Sequence, residues 1–325
     1  MGAGIQECDV AFTKDLQLVC RHSQCDLHTT TNVVTVPELN AKCTKPFQPA
    51  ANGKSATAKC CTSDFTLAEL RQLCAKMDAS AATATTPAEY QQGTPGYRTD
   101  LYAKASCSRL YTLREFITLV DGLGLKFTPE LKTPEVPMPF KFGSRNYTQS
   151  KYAQHLIDEF KAAGISPSRV YPQSFLYDDV LYWIKNEPKW AKQAVLLDES
   201  GDEPNTIGQA TASLSRYAKD GVKIVAPPLP YLVTVSKEGK IVPSEYAKQA
   251  KKLGLKVIAW SLERSGWLGD GSHGGYYYST IASVVNKDSD VFKLLHVLAQ
   301  DVGVIGVFSD WSATVTYYAN CFGLF

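Results

Sequence analysis

From Leu110 onward, short apolar runs rich in β-branched residues alternate with longer segments of helical period, each punctuated by Gly or Pro. That rhythm confines the chain to folds made of βα units around a parallel sheet. Strands are predicted at Lys126 to Lys132, Val170 to Phe175, Gln193 to Asp198, Lys223 to Ala226, Leu255 to Leu262 and Val304 to Asp310. Helices are predicted at Tyr147 to Ala163, Ile207 to Lys219, Ser244 to Leu253 and Asp288 to Val302, stopped by Gly164, Gly221, Gly254 and Gly303. Ahead of this series, Ile5 to Phe12 reads as a strand and Leu16 to Cys20 as a short extension leading into Arg21-His22. The principal strands then number seven. Right-handed crossovers allow an open doubly wound sheet or a closed barrel of eight units, and the barrel needs about 250 residues before insertions. The 325 residues accommodate it. We expect an α/β barrel, N-terminally incomplete, with seven of its eight βα units present and the first lying upstream of Met1.

Residues 33–106 break the rhythm. Stretches such as TKPFQPAANGKSATAKCCTSD and ASAATATTPAEYQQGTPG are rich in Ala, Thr, Gly and Pro, and Leu67 to Met77 is the one helix predicted there. The segment is expected to be an irregular insertion after the second strand of a single domain spanning 1–325. With so few large apolar residues it cannot bury a core of its own, so cross-links through Cys43, Cys60, Cys61, Cys74 and Cys107 are expected to hold it. Eight of the nine cysteines lie in the first third, without Cys-x-x-Cys pairs or His at metal-finger spacing, which points to disulfides in an oxidising compartment and not to zinc. Their pairing is not readable from sequence. The sequon Asn146-Tyr147-Thr148 agrees with secretion, whereas Met1 to Ile5 carries no signal region, so a signal sequence is expected to have been lost with the missing N-terminus.

Charge excludes other classes. Thirty-four Lys and Arg against 32 Asp and Glu leave a formal +2, too little to draw the chain to nucleic acid or an anionic membrane. Every apolar stretch is interrupted before the roughly 20 residues of a bilayer span.

Three groups of side chains can carry chemistry. On the strand Ile5 to Phe12, Glu7 and Asp9 share one face, with Cα atoms roughly 6 to 7 Å apart, while Cys8 faces the other way. Turned inward, two such carboxylates require a cation or a basic partner; turned outward, they are an ordinary wet face. Glu130 and Lys132 share a face at the end of the strand KFTPELK, where barrel active sites form; a surface ion pair is the plain alternative. His22 ends VCRH just after the acidic strand and could protonate a leaving oxygen, or be a solitary surface imidazole. His28, in DLHTTTN, reads as part of a turn. An all-oxygen ligand set of three carboxylates suits Ca²⁺ or Mg²⁺.

In this order, these elements resemble the glycerophosphodiester phosphodiesterase family. IQECDVAFTKDLQLVCRHSQCDLHTTTNV carries the acidic strand Glu-x-Asp-Val, then Thr-Lys-Asp, then a His, then a Thr-Thr turn; TLREFITLVDGLGLKFTPELK is similar to the family's helix and the strand ending in Glu-x-Lys. VYPQSF, KVIAWSL and GVIGVFSDW resemble its later strands. The resemblance implies a TIM barrel that hydrolyses glycerophosphodiesters, as small-molecule substrates, to glycerol 3-phosphate and an alcohol. Glu7, Asp9 and Glu130 would hold one divalent cation, Ca²⁺ or Mg²⁺, and His22 would be one of two catalytic histidines. Lys132 would stabilise phosphate charge, and Gln173, Phe175 and Trp260 would shape the glycerol or alcohol pocket. The other catalytic His belongs to a His-Arg-Gly segment on the family's first strand, which this sequence lacks. His28 stands where Arg is usual, and Glu263 where Asn is common after Trp260-Ser261-Leu262. Two rivals stay open at this point: a non-catalytic relative that binds metal or phosphate, and a phospholipase D-like enzyme on lysophospholipids. The oligomeric state is not readable.

Overall fold

The structure is a computed structural model describing residues 2–92, 107–203 and 205–324, so residues 93–106, the end of the predicted insertion, lie outside the described residues. The chain divides into two compact units, Gln6–Val170 and Met1–Ile5 with Tyr171–Phe325.

In the N-terminal unit, β1 (Ile5–Phe12) pairs antiparallel with β2 (Leu18–Cys20) in the register Val10 to Cys20. After the insertion come α1 (Leu113–Gly122), β3 (Lys126–Leu131) and α2 (Gln149–Ala162). β3 lies beside β1, and the Lys132 N–H donates to the Val10 carbonyl at 3.1 Å. Phe12 ends β1 in an aromatic nest, its ring 5.1 to 5.2 Å from those of Phe140, Tyr147 and Tyr152. The predicted helix start at Tyr147 shifts two residues: Tyr147 closes the hairpin strand Arg145–Tyr147, and Thr148 caps α2 by accepting the Lys151 N–H.

Within the insertion, the hairpin Lys45–Gln48 with Thr57–Lys59 and several single turns replace longer elements. The helix predicted over Leu67 to Met77 is one turn, Leu67–Leu70. Its continuation is pulled away because Cys74 is bonded to Cys107 and Ala75 bridges the backbones of Thr31 and Ser108. The insertion does bury apolar surface. Leu39, Phe65, Leu70, Leu73 and Tyr90 cluster there, but they share that cluster with Val19, Leu27 and Leu110 from the flanking chain.

The C-terminal unit holds β4 (Gln173–Ser174), α3 (Tyr177–Asn186), β5 (Val195–Leu197), α4 (Ile207–Lys219), β6 (Ile224–Ala226), α5 (Glu245–Lys252), β7 (Lys256–Ala259), α6 (Val291–His296), β8 (Gly306–Val307) and α7 (Ser312–Cys321). Neighbouring strands are parallel and follow chain order, β4-β5-β6-β7-β8. That order winds in one direction, as in a barrel; a doubly wound sheet would reverse at its middle. Val195, Leu197, Ile224, Ala226 and Ile258 cluster on one face, with Tyr171, Phe175, Trp260 and Phe308 packed against them. The intervening residues Leu196, Val225 and Val257 are buried as well, which explains why these strands read as unbroken apolar runs.

All seven predicted principal strands are present, mostly shorter than predicted. β4 keeps only two residues because Pro172 lacks the N–H that a ladder needs, although Val170 still bridges Phe127. The four glycine stops are all left-handed, for example Gly221 at φ +98°. The predicted helix Asp288 to Val302 is composite: a 3₁₀ turn, α6, and a π turn over Val297–Val302. Helices α3 and α7 were not predicted.

Candidate active site

Alternation along β1 sets Glu7 and Asp9 on the side opposite buried Cys8. Cys8 is bonded to Cys20 across the β1–β2 hairpin, with Cα atoms 5.3 Å apart, so the acidic strand is fixed from behind by a covalent link. The pairing of β3 with β1 then brings in Glu130, the penultimate residue of β3. Carboxylate oxygens of Glu7, Asp9 and Glu130 all lie within 4.8 Å of one another. Glu7 is exposed, Asp9 half-buried and Glu130 only 5% exposed, so the reading of Glu130 with Lys132 as a surface ion pair does not describe this arrangement.

Lys132 joins the three acids. Its Nζ is 2.7 Å from Glu130 Oε1 and 3.9 Å from Asp9 Oδ1. Burial pulls the ammonium towards its neutral form, but the Asp9, Glu130 and Glu7 carboxylates outweigh it and hold its pKa above the ordinary value. One ammonium cannot balance three acids. Burial, and next the charge of Asp9, push the Glu130 carboxyl up to about 8 despite the Lys132 contact. A carboxyl that resists ionisation at neutral pH beside two further acids marks a place where negative charge is in excess, and an all-oxygen donor set fits a hard divalent cation. These residues therefore fit the metal that the sequence resemblance implies.

His22 lies one residue beyond the pairing of the Arg21 N–H with the Asp9 carbonyl at 2.7 Å, and its side chain is exposed. The loop that carries it is gripped by the insertion: Cys25 is bonded to Cys61, and the Thr62 N–H donates to Gln24 O at 2.7 Å. His28 is not part of the acidic site. Its Nδ1 accepts the Cys60 N–H at 3.4 Å, and burial lowers its pKa, in keeping with its reading as a turn residue.

Gln173, Phe175 and Trp260 belong to the C-terminal unit. Gln173 is fully buried. Phe175 and Trp260 meet edge to face at 5.7 Å, and the Trp260 Nε1–H donates to Ala226 O at 2.7 Å. A cavity of about 720 Å³ in this unit, lined in part by Phe292, His296, Tyr317 and Phe322, contains none of the residues singled out from sequence.

Sequence reasoning missed two acidic groups. Glu263 is buried enough for its pKa to rise to about 7, while accepting hydrogen bonds from Ser309 Oγ at 2.7 Å and from the Asp310 N–H at 3.2 Å. Its only signal was its departure from the family's Asn. Glu135 binds the His22 loop, and no motif marks it.

A singly wound α/β unit, together with converging carboxylates and an ammonium at a strand end, defines a barrel-type enzyme with a candidate divalent-cation site. The chain belongs to the glycerophosphoryl diester phosphodiesterase family, whose profile matches residues 1–314, and it is an enzyme of that kind. An extracellular protein of Arthroderma benhamiae is 49% identical over 249 residues, 76% of this chain and 100% of its own length. A structure described as a glycerophosphoryl diester phosphodiesterase of Silicibacter pomeroyi superposes with a TM-score of 0.58 at 15% identity, covering 99% of this chain and 85% of its own. An Oleispira antarctica phosphodiesterase, solved with the product sn-glycerol-3-phosphate, gives 0.52 at 16% identity, covering 98% of this chain and 86% of its own. At that identity the likeness shows the fold, an α/β chain of the TIM-barrel type.

Proposed function

We propose that the protein is a metal-dependent hydrolase that cleaves glycerophosphodiesters to glycerol 3-phosphate and an alcohol. The observation that carries this reading is the convergence of Glu7, Asp9 and Glu130 within 4.8 Å, with the Lys132 ammonium 2.7 Å from Glu130. The three acids would hold one divalent cation, Ca²⁺ or Mg²⁺. When bound, such a cation draws charge from the non-bridging oxygens of the phosphodiester. Lys132, kept cationic by its neighbours, adds a fixed positive charge for the same oxygens. His22 is assigned as the general acid that protonates the departing alkoxide, a role worth roughly 10² to 10⁴ in rate. Gln173, Phe175 and Trp260 are the candidates for binding the glycerol or alcohol part. The product bound by the Oleispira antarctica relative supports this choice of product. We assign the whole of 1–325 to one catalytic domain, with 33–106 inserted in it.

Four disulfides, the extracellular Arthroderma relative and an exposed Asn146 in its sequon support secretion. Among the described residues no helix is long and apolar enough to cross a membrane.

The test is turnover of glycerophosphocholine beside a lysophospholipid, each with Ca²⁺, with Mg²⁺ and with chelator. Release of glycerol 3-phosphate from the first substrate, abolished by chelator, is expected. Cleavage of the lysophospholipid alone, or turnover that chelator leaves untouched, would overturn the reading.

A further inference from the structure

The loop bearing His22 has a second restraint besides the insertion, and it comes from the chain that follows the metal-ligand strand. Thr133-Pro134-Glu135-Val136-Pro137-Met138-Pro139 leaves β3 directly after Lys132. Three prolines in six residues fix φ at those positions and stiffen the segment, so a side chain on it is presented at low entropic cost. Glu135 Oε1 accepts a hydrogen bond from Ser23 Oγ and a second from the Cys25 N–H at 3.2 Å. Its other oxygen lies 3.8 Å from Lys59 Nζ of the insertion. The carboxylate thus ties together residues on either side of the loop's turn, one place beyond His22 in the chain, and does so from the same segment that delivers Glu130 and Lys132.

We propose that Glu135 is a positioning residue that holds the 21–26 loop, and His22 with it, in register with the acidic cluster. The proposal rests on the assignment of His22 above, but the contact itself is independent of that assignment. Glu135 is exposed, so its ion pair with Lys59 is screened and contributes little; of its contacts, the two accepted hydrogen bonds are the ones that bear on the loop. The conservative amide can still accept both.

The experiment compares Glu135→Ala and Glu135→Gln in the full chain, with glycerophosphocholine and the preferred cation. Glu135→Ala is expected to lower kcat about 5- to 20-fold with KM within about twofold and cation affinity unchanged, while Glu135→Gln keeps at least about half of wild-type kcat. Amide hydrogen exchange of residues 21–26, measured without substrate, is expected to speed up about tenfold in Glu135→Ala and to stay near wild type in Glu135→Gln. Unchanged exchange in Glu135→Ala, or equal losses in the two variants, would overturn the proposal. Faster exchange alongside a wild-type protein that turns over no glycerophosphodiester would leave the loop contact standing and remove the hydrolase reading instead.

Discussion

The two units of this chain solve the same problem by different means. The C-terminal unit packs parallel strands of Val, Leu, Ile and Ala under amphipathic helices, and its single cysteine, Cys321, is free and exposed. The N-terminal unit carries all four disulfides, three of which tie residues of the insertion, where Ala and Thr stand in the place of large apolar side chains. The difference teaches that covalent closure supplements a shared apolar cluster where large apolar side chains are few, and that this chain does so around the loop and strand that carry its candidate chemistry.

The chemistry proposed for the N-terminal cluster makes the largest expected effect a loss of activity without a matching loss of stability. Glu130→Gln is expected to lower kcat/KM on the order of 10³-fold and to weaken cation uptake measured by calorimetry. Its melting temperature should hold or rise at neutral pH, because keeping a buried carboxyl protonated up to about 8, when the unfolded chain would ionise it near 4.3, costs stability that the neutral amide does not. Full activity with normal cation uptake would break the assignment of chemistry to this unit.

Stability comes next. Replacing Cys25 and Cys61 together by Ala opens a link across 36 residues and is expected to cost about 3 kcal/mol in urea unfolding, whereas Cys321→Ser should change stability by less than about 0.5 kcal/mol. Limited proteolysis should then cut first among residues 33–92. If the double variant unfolds at the wild-type urea midpoint, the insertion's shared cluster around Phe65 and Leu73 suffices without covalent help.

The same contrast decides what could be read in advance. Period and glycine stops marked α4 to the residue, Ile207–Lys219, because its buried Ala210, Leu214 and Tyr217 are spaced three and four apart. They failed over Leu67 to Met77, where tertiary constraints from Cys74 and Ala75 overrode local propensity. The acidic triad was legible because strand alternation fixes which side chains share a face. That Glu130 would lie beside Asp9 depended on which strands pair, which no local pattern encodes and which the family resemblance supplied. Disulfide partners and Glu135 were not legible for the same reason: both are contacts between residues far apart in sequence.

Proton linkage should differ in sign between two glutamates, Glu159 and Glu263. In the N-terminal unit Glu159 is held at about 2, through the His155 contact first and Arg114 also, against the pull of burial. Its contribution is present above the unfolded value near 4.3 and is lost as pH falls towards 2. In the C-terminal unit Glu263 is raised to about 7 by burial, so the folded state holds a proton that the unfolded state has released between about pH 4.3 and 7. Stability from this group is therefore full below about 4.3 and declines as pH rises through 7. Glu263→Gln is expected to gain on the order of 1 kcal/mol relative to wild type between pH 5 and 8, read from urea midpoints across that range. A constant difference between the two proteins would show that Glu263 does not titrate differently on folding.

The smallest effect separates two helix starts of equal geometry. Thr112 and Glu115 form a capping box at α1, and Thr206 and Gln209 form the same box at α4, with the returning contact 2.9 Å in both. Only the first is charged: Glu115 meets Arg109 and, at 2.7 Å, Arg71; against the opposing effect of burial, Arg71 and the Thr112 cap contacts bring its pKa down to about 2. Glu115→Gln keeps a box but loses the carboxylate at the positive end of the helix and both arginine contacts, so a cost of about 1 kcal/mol at pH 7 is expected, fading as pH falls from about 4.3 towards 2. Gln209→Glu adds a carboxylate at the equivalent place in the C-terminal unit and should gain only about 0.3 to 0.5 kcal/mol, the share due to the helix end alone. If the two substitutions shift the urea midpoint by equal and opposite amounts, the arginines contribute nothing. A larger loss than gain assigns the excess to Arg71 and Arg109, the first of which lies within the insertion and would join it to α1.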